Sequence, residues 1–386
     1  MSVAYEAGSS VSDPRSPAPA PGTRRPAVLG ALTSLRYLIA LHVALYHFVR
    51  PFERWGALSA FFAAGYSGVS FFFVLSGFIL TYAHAAEYEV GRGSLRRFWL
   101  ARFARIYPVY ALSVLLAAYV DRRLFVWPTE RLALAANFVM VQAWSTRLIR
   151  NFNVPSWSLS CEAFFYLVFP FMLLKLRPAS RVASVFTTLG LFIVAMLAPA
   201  WALLHYHLPA MHELPLTNVG YGEVLRIRRL PLLALPEFLV GISLGWFYLR
   251  GGVSARSAQV LTWAGGLLLC LALCFSGRLP YVFLHNGLLM PLQCAVILGL
   301  TGRHRVARWL SQPWLMVLGE ASFSFYLIHL LLFELALEKF GVHTGIARAV
   351  LLILSISGIS VLLYRYIERP SRRWLLLRFG AGARSA

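Results

Sequence analysis

Eleven apolar stretches follow one another through this 386-residue chain, at 33–49, 59–83, 98–120, 131–145, 156–174, 183–204, 231–249, 257–276, 281–301, 313–334 and 346–364. A helix of about 20 apolar residues matches the hydrocarbon thickness of a bilayer. At that depth every backbone N–H and C=O must be satisfied without water, which a helix does within its own segment. Composition agrees, with 59% hydrophobic and 13% charged residues, where a soluble domain carries about 25% charged. The fold class that follows is all-α, a polytopic membrane bundle of about ten transmembrane helices.

Loop charges decide which stretch does not cross. The chain has 36 Lys+Arg against 15 Asp+Glu, a formal net charge of +21, and only Lys175 and Lys339 are lysines. On a soluble chain this charge would suggest nucleic acid. Here the arginines fall between apolar stretches, as the positive-inside rule describes for cytoplasmic loops, so no nucleic-acid partner is expected and the lipid bilayer is the partner. If all eleven stretches crossed, the basic loops at Arg92 to Arg105 and Lys175 to Arg181 would lie on opposite sides. The stretch at 131–145 is too short to span and is flanked by Arg131 and Arg147, so it is expected to be re-entrant or interfacial. Ten spans then place the basic segments 92–105, 175–181, 250–256, 303–308 and 365–373 on the side of the N-terminus, with both termini cytoplasmic in a multi-pass plasma-membrane protein. Arg122, Arg123 and Arg226 to Arg229 break the bias mildly. Residues 1–30, rich in Ser, Pro, Ala and Gly and without a signal-peptide apolar core, read as a disordered cytoplasmic tail, 31–370 as the transmembrane domain, and 371–386 as a basic cytoplasmic tail.

Ionisable side chains within spans are functional candidates, because lipid excludes them unless they meet a cavity or a partner. In the first span Arg36 and His47 are eleven residues apart, three turns plus about 20°. They share one face and stand about 16 Å apart along the axis, with His42 well off that face. Glu162, with Ser158 and Ser160, opens the span at 156–174 near its outer end and needs a partner, which His47 at similar depth would supply. A carboxylate beside an imidazole is the arrangement of a general base. The span at 313–334 adds Ser322, Ser324, Tyr326 and His329. Arg102 and Arg105, three apart, project together from the start of their helix, and paired guanidinium groups hold phosphates well. Cys161, Cys270, Cys274 and Cys294 lack metal or redox spacing and read as small apolar-zone residues, so no metal site is expected.

Taken together, these segments resemble the acyltransferase family 3 membrane proteins, which O-acylate bacterial surface polysaccharides and some natural products. The residues that carry the resemblance are Arg36 and His47 as R-x10-H, Phe72 to Tyr82 reading FFVLSGFILTY, and Arg102 and Arg105 as R-x-x-R before Ile106-Tyr107-Pro108. Trp157 to Tyr166 reading WSLSCEAFFY and Ser324 to His329 reading SFYLIH complete it, in the expected order over about 35–370. The family usually has two adjacent acidic residues where this chain has Glu162 and Ala163.

The resemblance implies ten spans, acyl-CoA as co-substrate on the cytoplasmic side with no bound cofactor, a hydroxyl-bearing acceptor, and His47 at the catalytic centre. Acyl-CoA would dock its phosphates on Arg36, Arg102 and Arg105 and thread its pantetheine arm toward His47. His47 would deprotonate the acceptor hydroxyl or carry the acyl group itself. Glu162 would orient His47, and Tyr326, Ser324 or His329 would stabilise the oxyanion. The product is an acetyl or other short acyl ester of a sugar, a polysaccharide or a secondary metabolite such as a macrolide. Larger relatives append an extracytoplasmic hydrolase-like domain, and this chain is expected to act as a stand-alone transferase. Intramembrane His, Glu and Arg would also suit a multi-pass transporter of a small polar or anionic substrate, although the halves show no clear internal repeat.

Overall fold

The computed structural model describes residues 29–48, 56–120, 128–145, 148, 152–206, 221–340 and 346–380. Among them all regular structure is helical. The long elements are α1 (Gly30–His47), α3 (Gly68–Glu89), α4 (Leu95–Val120), α6 (Trp157–Lys175), α7 (Arg181–Tyr206), α9 (Pro231–Leu249), α10 (Ala255–Cys274), α14 (Pro313–Phe340) and α15 (Ile346–Leu363). Shorter pieces are α2 (Ala57–Ala63), α5 (Pro128–Phe138), α8 (Tyr221–Arg229), α11 (Tyr281–His285), α12 (Met290–Leu300), α13 (Arg305–Leu310) and α16 (Arg369–Gly380). Nine helical stretches among the described residues are long and apolar enough to cross a membrane. At 18 residues α1 has spanning length too, and it carries Arg36, His42 and His47.

The expected non-crossing segment is the 11-residue α5, about 16 Å long and too short to span. A buried polar network fastens it: Tyr110 Oη donates to Asn137 O at 2.7 Å, and Gln142 Nε2 donates to Ser156 O at 2.9 Å and to Tyr110 Oη at 3.1 Å. Two of the basic segments, 175–181 and 250–256, meet each other and the end of α3. Arg177 pairs with Glu89 at 2.9 Å, Arg250 donates to Ala179 O at 3.0 Å, and Arg181 donates to Gly252 O at 2.9 Å.

Three features differ from the sequence expectation. The span at 281–301 is two pieces, interrupted at 286–289, where Gly287 takes φ +89° and the Asn286 side chain bonds back to Val282 O at 2.7 Å. Residues 369–380 are not a tail but a helix, α16, packed against α4. Its Leu375 and Leu376 are half buried, while Trp374, Leu377, Arg369, Arg373 and Arg378 are exposed, the habit of an amphipathic helix. Cys270 is exposed rather than buried, on the outward face of α10, and all four cysteines are free. The expected N-terminal tail lies outside the described residues.

The centre of the bundle is built by close approach of backbones, since lipid leaves van der Waals packing as the main attraction between helices. At Gly241 of α9 an added Cβ would lie 2.0 Å from Val74 O of α3, and at Gly319 of α14 it would lie 2.2 Å from Thr33 O of α1. α14 is the most enclosed span and α7 the least, at 67% and 17% buried over their apolar windows. Gly190, on the lipid side of α7, has nothing within 4 Å of a built Cβ. Gly241→Leu should therefore cost more than about 4 kcal/mol and abolish the monodisperse peak in detergent size exclusion, while Gly190→Leu should leave that peak unchanged.

Candidate active site

α1, α3, α4, α6 and α14 enclose a cavity of about 760 Å³, counting the part open at its mouth. Arg36, Arg102, Arg105, Glu162 and Tyr326, five of the seven residues expected from the sequence, line it, together with Ser76 and Tyr166. Arg36 stands six residues into α1 and Arg105 ten residues into α4, about 9 and 15 Å from the helix starts. The arginine pair is thus inside the bundle rather than at its entrance.

Charges at this depth need counter-charges, and the fold provides them. Arg36 is in electrostatic range of Glu162 and Glu320, and Arg105 of Glu162, Glu320 and Glu368. Among the described residues none of the three arginines closes to a contact ion pair. Arg102 Nε is buried with no hydrogen-bond partner. The carboxylates are held by neutral hydroxyls instead. Tyr166 Oη donates to Glu162 Oε1, and Ser76 Oγ reaches the same oxygen at 3.4 Å. Ser324 Oγ donates to Glu368 Oε2 at 3.1 Å, and Tyr364 Oη to Glu320 Oε2 at 3.4 Å. Glu368 closes a π-helical turn, Tyr364–Glu368, and is 4% exposed. A π-turn inserts one extra residue, here turning a carboxylate inward beyond the end of α15.

Beyond the cavity lie two imidazoles. The ring centroids of His47 and His329 are 5.3 Å apart, with Tyr46 edge-on to His47 at 4.8 Å. His329 is 0% exposed. Its Nδ1 lies 2.7 Å from the Tyr326 carbonyl, an acceptor only, so Nδ1 carries the proton and donates. The Nε2 lone pair is then free, and that atom is buried without a partner. Tyr326 joins this pair to the cavity: its hydroxyl lies 2.8 Å from Ser158 Oγ and donates to Pro155 O at 3.2 Å. Asn153 ties the chain before α6 to this turn of α14 by donating to Leu327 O at 2.8 Å. His42, off the functional stripe, lies 2.8 Å from Phe61 O through Nε2.

The expected pairing of Glu162 with His47 is not formed. The hydrogen bonds of Glu162 go to Tyr166 and Ser76, and the ring partner of His47 is His329. Helix rotation explains it: α6 turns Glu162 toward α3 and α4, where the arginines are, and the expected depth match had no means of fixing that azimuth. Glu320 and Glu368 belong to the site and stand outside the sequence motifs. An acidic residue within the apolar stretch 313–334 is the signal that marks Glu320, whereas Glu368 lies past the last apolar stretch. Among the described residues no group of three His, Cys, Asp or Glu side chains could hold a metal ion.

The sequence pattern described as "Acyltransferase domain" matches residues 29–365. The chain is 29% identical over 380 residues to "Acyltransferase MdmB" of Streptomyces mycarofaciens, covering 90% of this chain and 92% of that one. It is 27% identical to "Peptidoglycan O-acetyltransferase OatA" of Listeria monocytogenes, over 89% of this chain and 56% of the relative. It is 24% identical to "O-acetyltransferase OatA" of Staphylococcus aureus, over 90% and 58%. The chain thus spans little more than half the length of the OatA proteins. No solved structure matches.

The charge balance of the cavity has a measurable consequence. Glu368→Gln removes one negative charge facing Arg36 and Arg105, so ADP, as an anionic probe, should bind about 3- to 10-fold tighter by isothermal titration, a gain on the order of 1 kcal/mol. Unchanged or weaker binding would contradict the counter-charge role.

Proposed function

The chain belongs to the acyltransferase domain family, and from that premise we propose that it is a membrane O-acyltransferase moving an acetyl or other short acyl group from acyl-CoA to a hydroxyl. Membership makes it an enzyme that transfers acyl groups, and its helices make it a multi-pass membrane protein. The observation that carries the rest is adjacency. A cavity with three arginines that form no contact ion pair among the described residues is lined also by Tyr326, whose carbonyl accepts from His329, the ring neighbour of His47.

Arg36, Arg102 and Arg105 hold the phosphates of the donor by charge-assisted hydrogen bonds. Glu162, Glu320 and Glu368 offset those arginines when the donor is absent, so the charges can persist at membrane depth. The pantetheine arm extends along the α1 stripe, about 16 Å from Arg36 to His47, and brings the thioester to the imidazoles. His47 accepts the proton of the acceptor hydroxyl as its oxygen bonds to the thioester carbonyl carbon. The carbon–sulfur bond breaks, and the proton passes from His47 to the thiolate. The products are the ester and the free thiol of coenzyme A. His329, neutral and fixed as the Nδ1–H tautomer, offers its Nε2 lone pair to the imidazolium formed on His47. The Tyr326 hydroxyl, beside Ser158, turns its proton from Pro155 O to the oxyanion.

The basic end of the bundle is the cytoplasmic face of the plasma membrane by the charge bias, which puts both termini and the donor there and the imidazoles toward the opposite face. Acceptor candidates are a peptidoglycan sugar, for which one relative is named, another surface polysaccharide, or a secondary metabolite such as a macrolide.

Membranes containing the protein, incubated with labelled acyl-CoA and with a macrolide or a peptidoglycan fragment, test this reading. His47→Ala should lower transfer on the order of 10²- to 10⁴-fold, and Arg36→Ala should raise KM for acyl-CoA about tenfold. Undiminished transfer in His47→Ala would remove the mechanism.

A further inference from the structure

α8 carries the basic run that breaks the charge bias, and two of its arginines are turned inward. Arg228 Nη1 donates to Tyr281 Oη at 2.9 Å. Its guanidinium carbon lies 5.8 Å from the centroid of Trp157, and that of Arg229 lies 5.9 Å from the same ring. Arg228 makes no contact ion pair with any described carboxylate, and its Nε is buried without a partner. A half-buried guanidinium over an aromatic ring, with no counter-ion among the described residues, is unfavourable unless an anion completes it.

The charge is also directed. Arg228 is in electrostatic range of His47, His285 and Tyr326, yet it hydrogen-bonds to none of them. The guanidinium thus acts on the His47 imidazole through space, with no hydrogen bond between them.

His285 supplies a second, independent sign. It is 4% exposed, and neither ring nitrogen has a hydrogen-bond partner. The ring is fixed all the same, stacked on Tyr66 at 4.8 Å and edge-on to Tyr281 at 5.5 Å. Buried polar groups are normally satisfied, so two open nitrogens beside a cation mark a place that a ligand oxygen fills. The backbone agrees: His285 ends α11 where the span breaks before α12, and irregular backbone at membrane depth is tolerated where it lines a cavity.

We infer that Arg228 and His285 form the acceptor subsite, and that the acceptor carries an anionic oxygen group, a carboxylate or a phosphate, within a few ångströms of the hydroxyl to be acylated. This rests on the reading of His47 as the base that receives the hydroxyl proton. The anionic group stays on Arg228 while the hydroxyl oxygen takes the acyl carbon and the donor sulfur takes the proton. Donor and acceptor thus approach the imidazole pair from two differently charged sides, three arginines with counter-carboxylates on one and, on the other, Arg228 with none among the described residues.

The test is binding to the purified full chain without acyl-CoA, by isothermal titration with methyl glucuronide, glucose 6-phosphate and methyl glucoside. At least one anion should bind about tenfold tighter than the glucoside, and which one does identifies the group. Arg228→Gln should abolish the preference, Arg228→Lys should keep most of it, and His285→Gln should reduce it several-fold, which provides a reading independent of α8. Equal affinities in the wild type would overturn the inference, as would a preference that survives Arg228→Gln. So would a preference that disappears in Arg36→Gln, since the anion would then sit among the cavity arginines. Because no acyl transfer is measured, failure here leaves the catalytic reading to its own assay. A silent transfer assay beside an intact anion preference would count against the catalytic reading alone.

Discussion

Charge at membrane depth is the constraint on which the rest of this structure depends. Each guanidinium or carboxylate taken into a bundle of this kind is destabilising by several kcal/mol unless it meets an opposite charge or a ligand. Arg36, Arg102 and Arg105 share one cavity with Glu162, and Arg105 is also in electrostatic range of Glu320 and Glu368, which requires α1, α4, α6 and α14 to converge with the π-turn after α15. The close glycine contacts hold the scaffold that makes this possible, fixing α3 against α9 and α1 against α14. Small residues supply proximity and charges supply specificity.

The balance is tuned for exchange rather than for permanent pairing. Contact ion pairs would lock the arginines, and among the described residues the cavity arginines form none. The carboxylates rest on hydroxyls of Tyr166, Ser76, Ser324 and Tyr364, each a bond that the proposed donor phosphates would leave intact. Toward the other end of the bundle the logic reverses, since His47 and His329 neighbour each other with no carboxylate bonded to either among the described residues. A neutral imidazole pair suits proton transfer to and from a thiolate better than a salt-bridged one would.

Much of this was legible in the sequence and some could not be. The shared face of Arg36 and His47 follows from helical arithmetic alone, and the non-crossing segment from its length and from the parity of basic loops. α16 hides in its composition, because four arginines within 369–378 mask a helix that packs on α4 with Leu375 and Leu376 half buried. The break at 286–289 lies inside an uninterrupted apolar stretch and depends on the Gly287 conformation. The partner of Glu162 was beyond reach for a different reason: pattern fixes which residues share a helix face, but not the azimuth of one helix against another. Glu368 needed both that azimuth and a π-turn.

The central claim is that an acyl donor lies in the arginine cavity with its thioester at the imidazole pair. An acyl-CoA analogue bearing a diazirine on the acyl chain, irradiated with the membrane-embedded protein and followed by peptide mapping, tests it directly. The account predicts labelling of peptides holding His47 or Tyr326 to His329, competed by unlabelled acyl-CoA and lost when Arg102 and Arg105 are both changed to Gln. Labelling confined to lipid-facing α7 and α10, or labelling that unlabelled donor does not suppress, would contradict it.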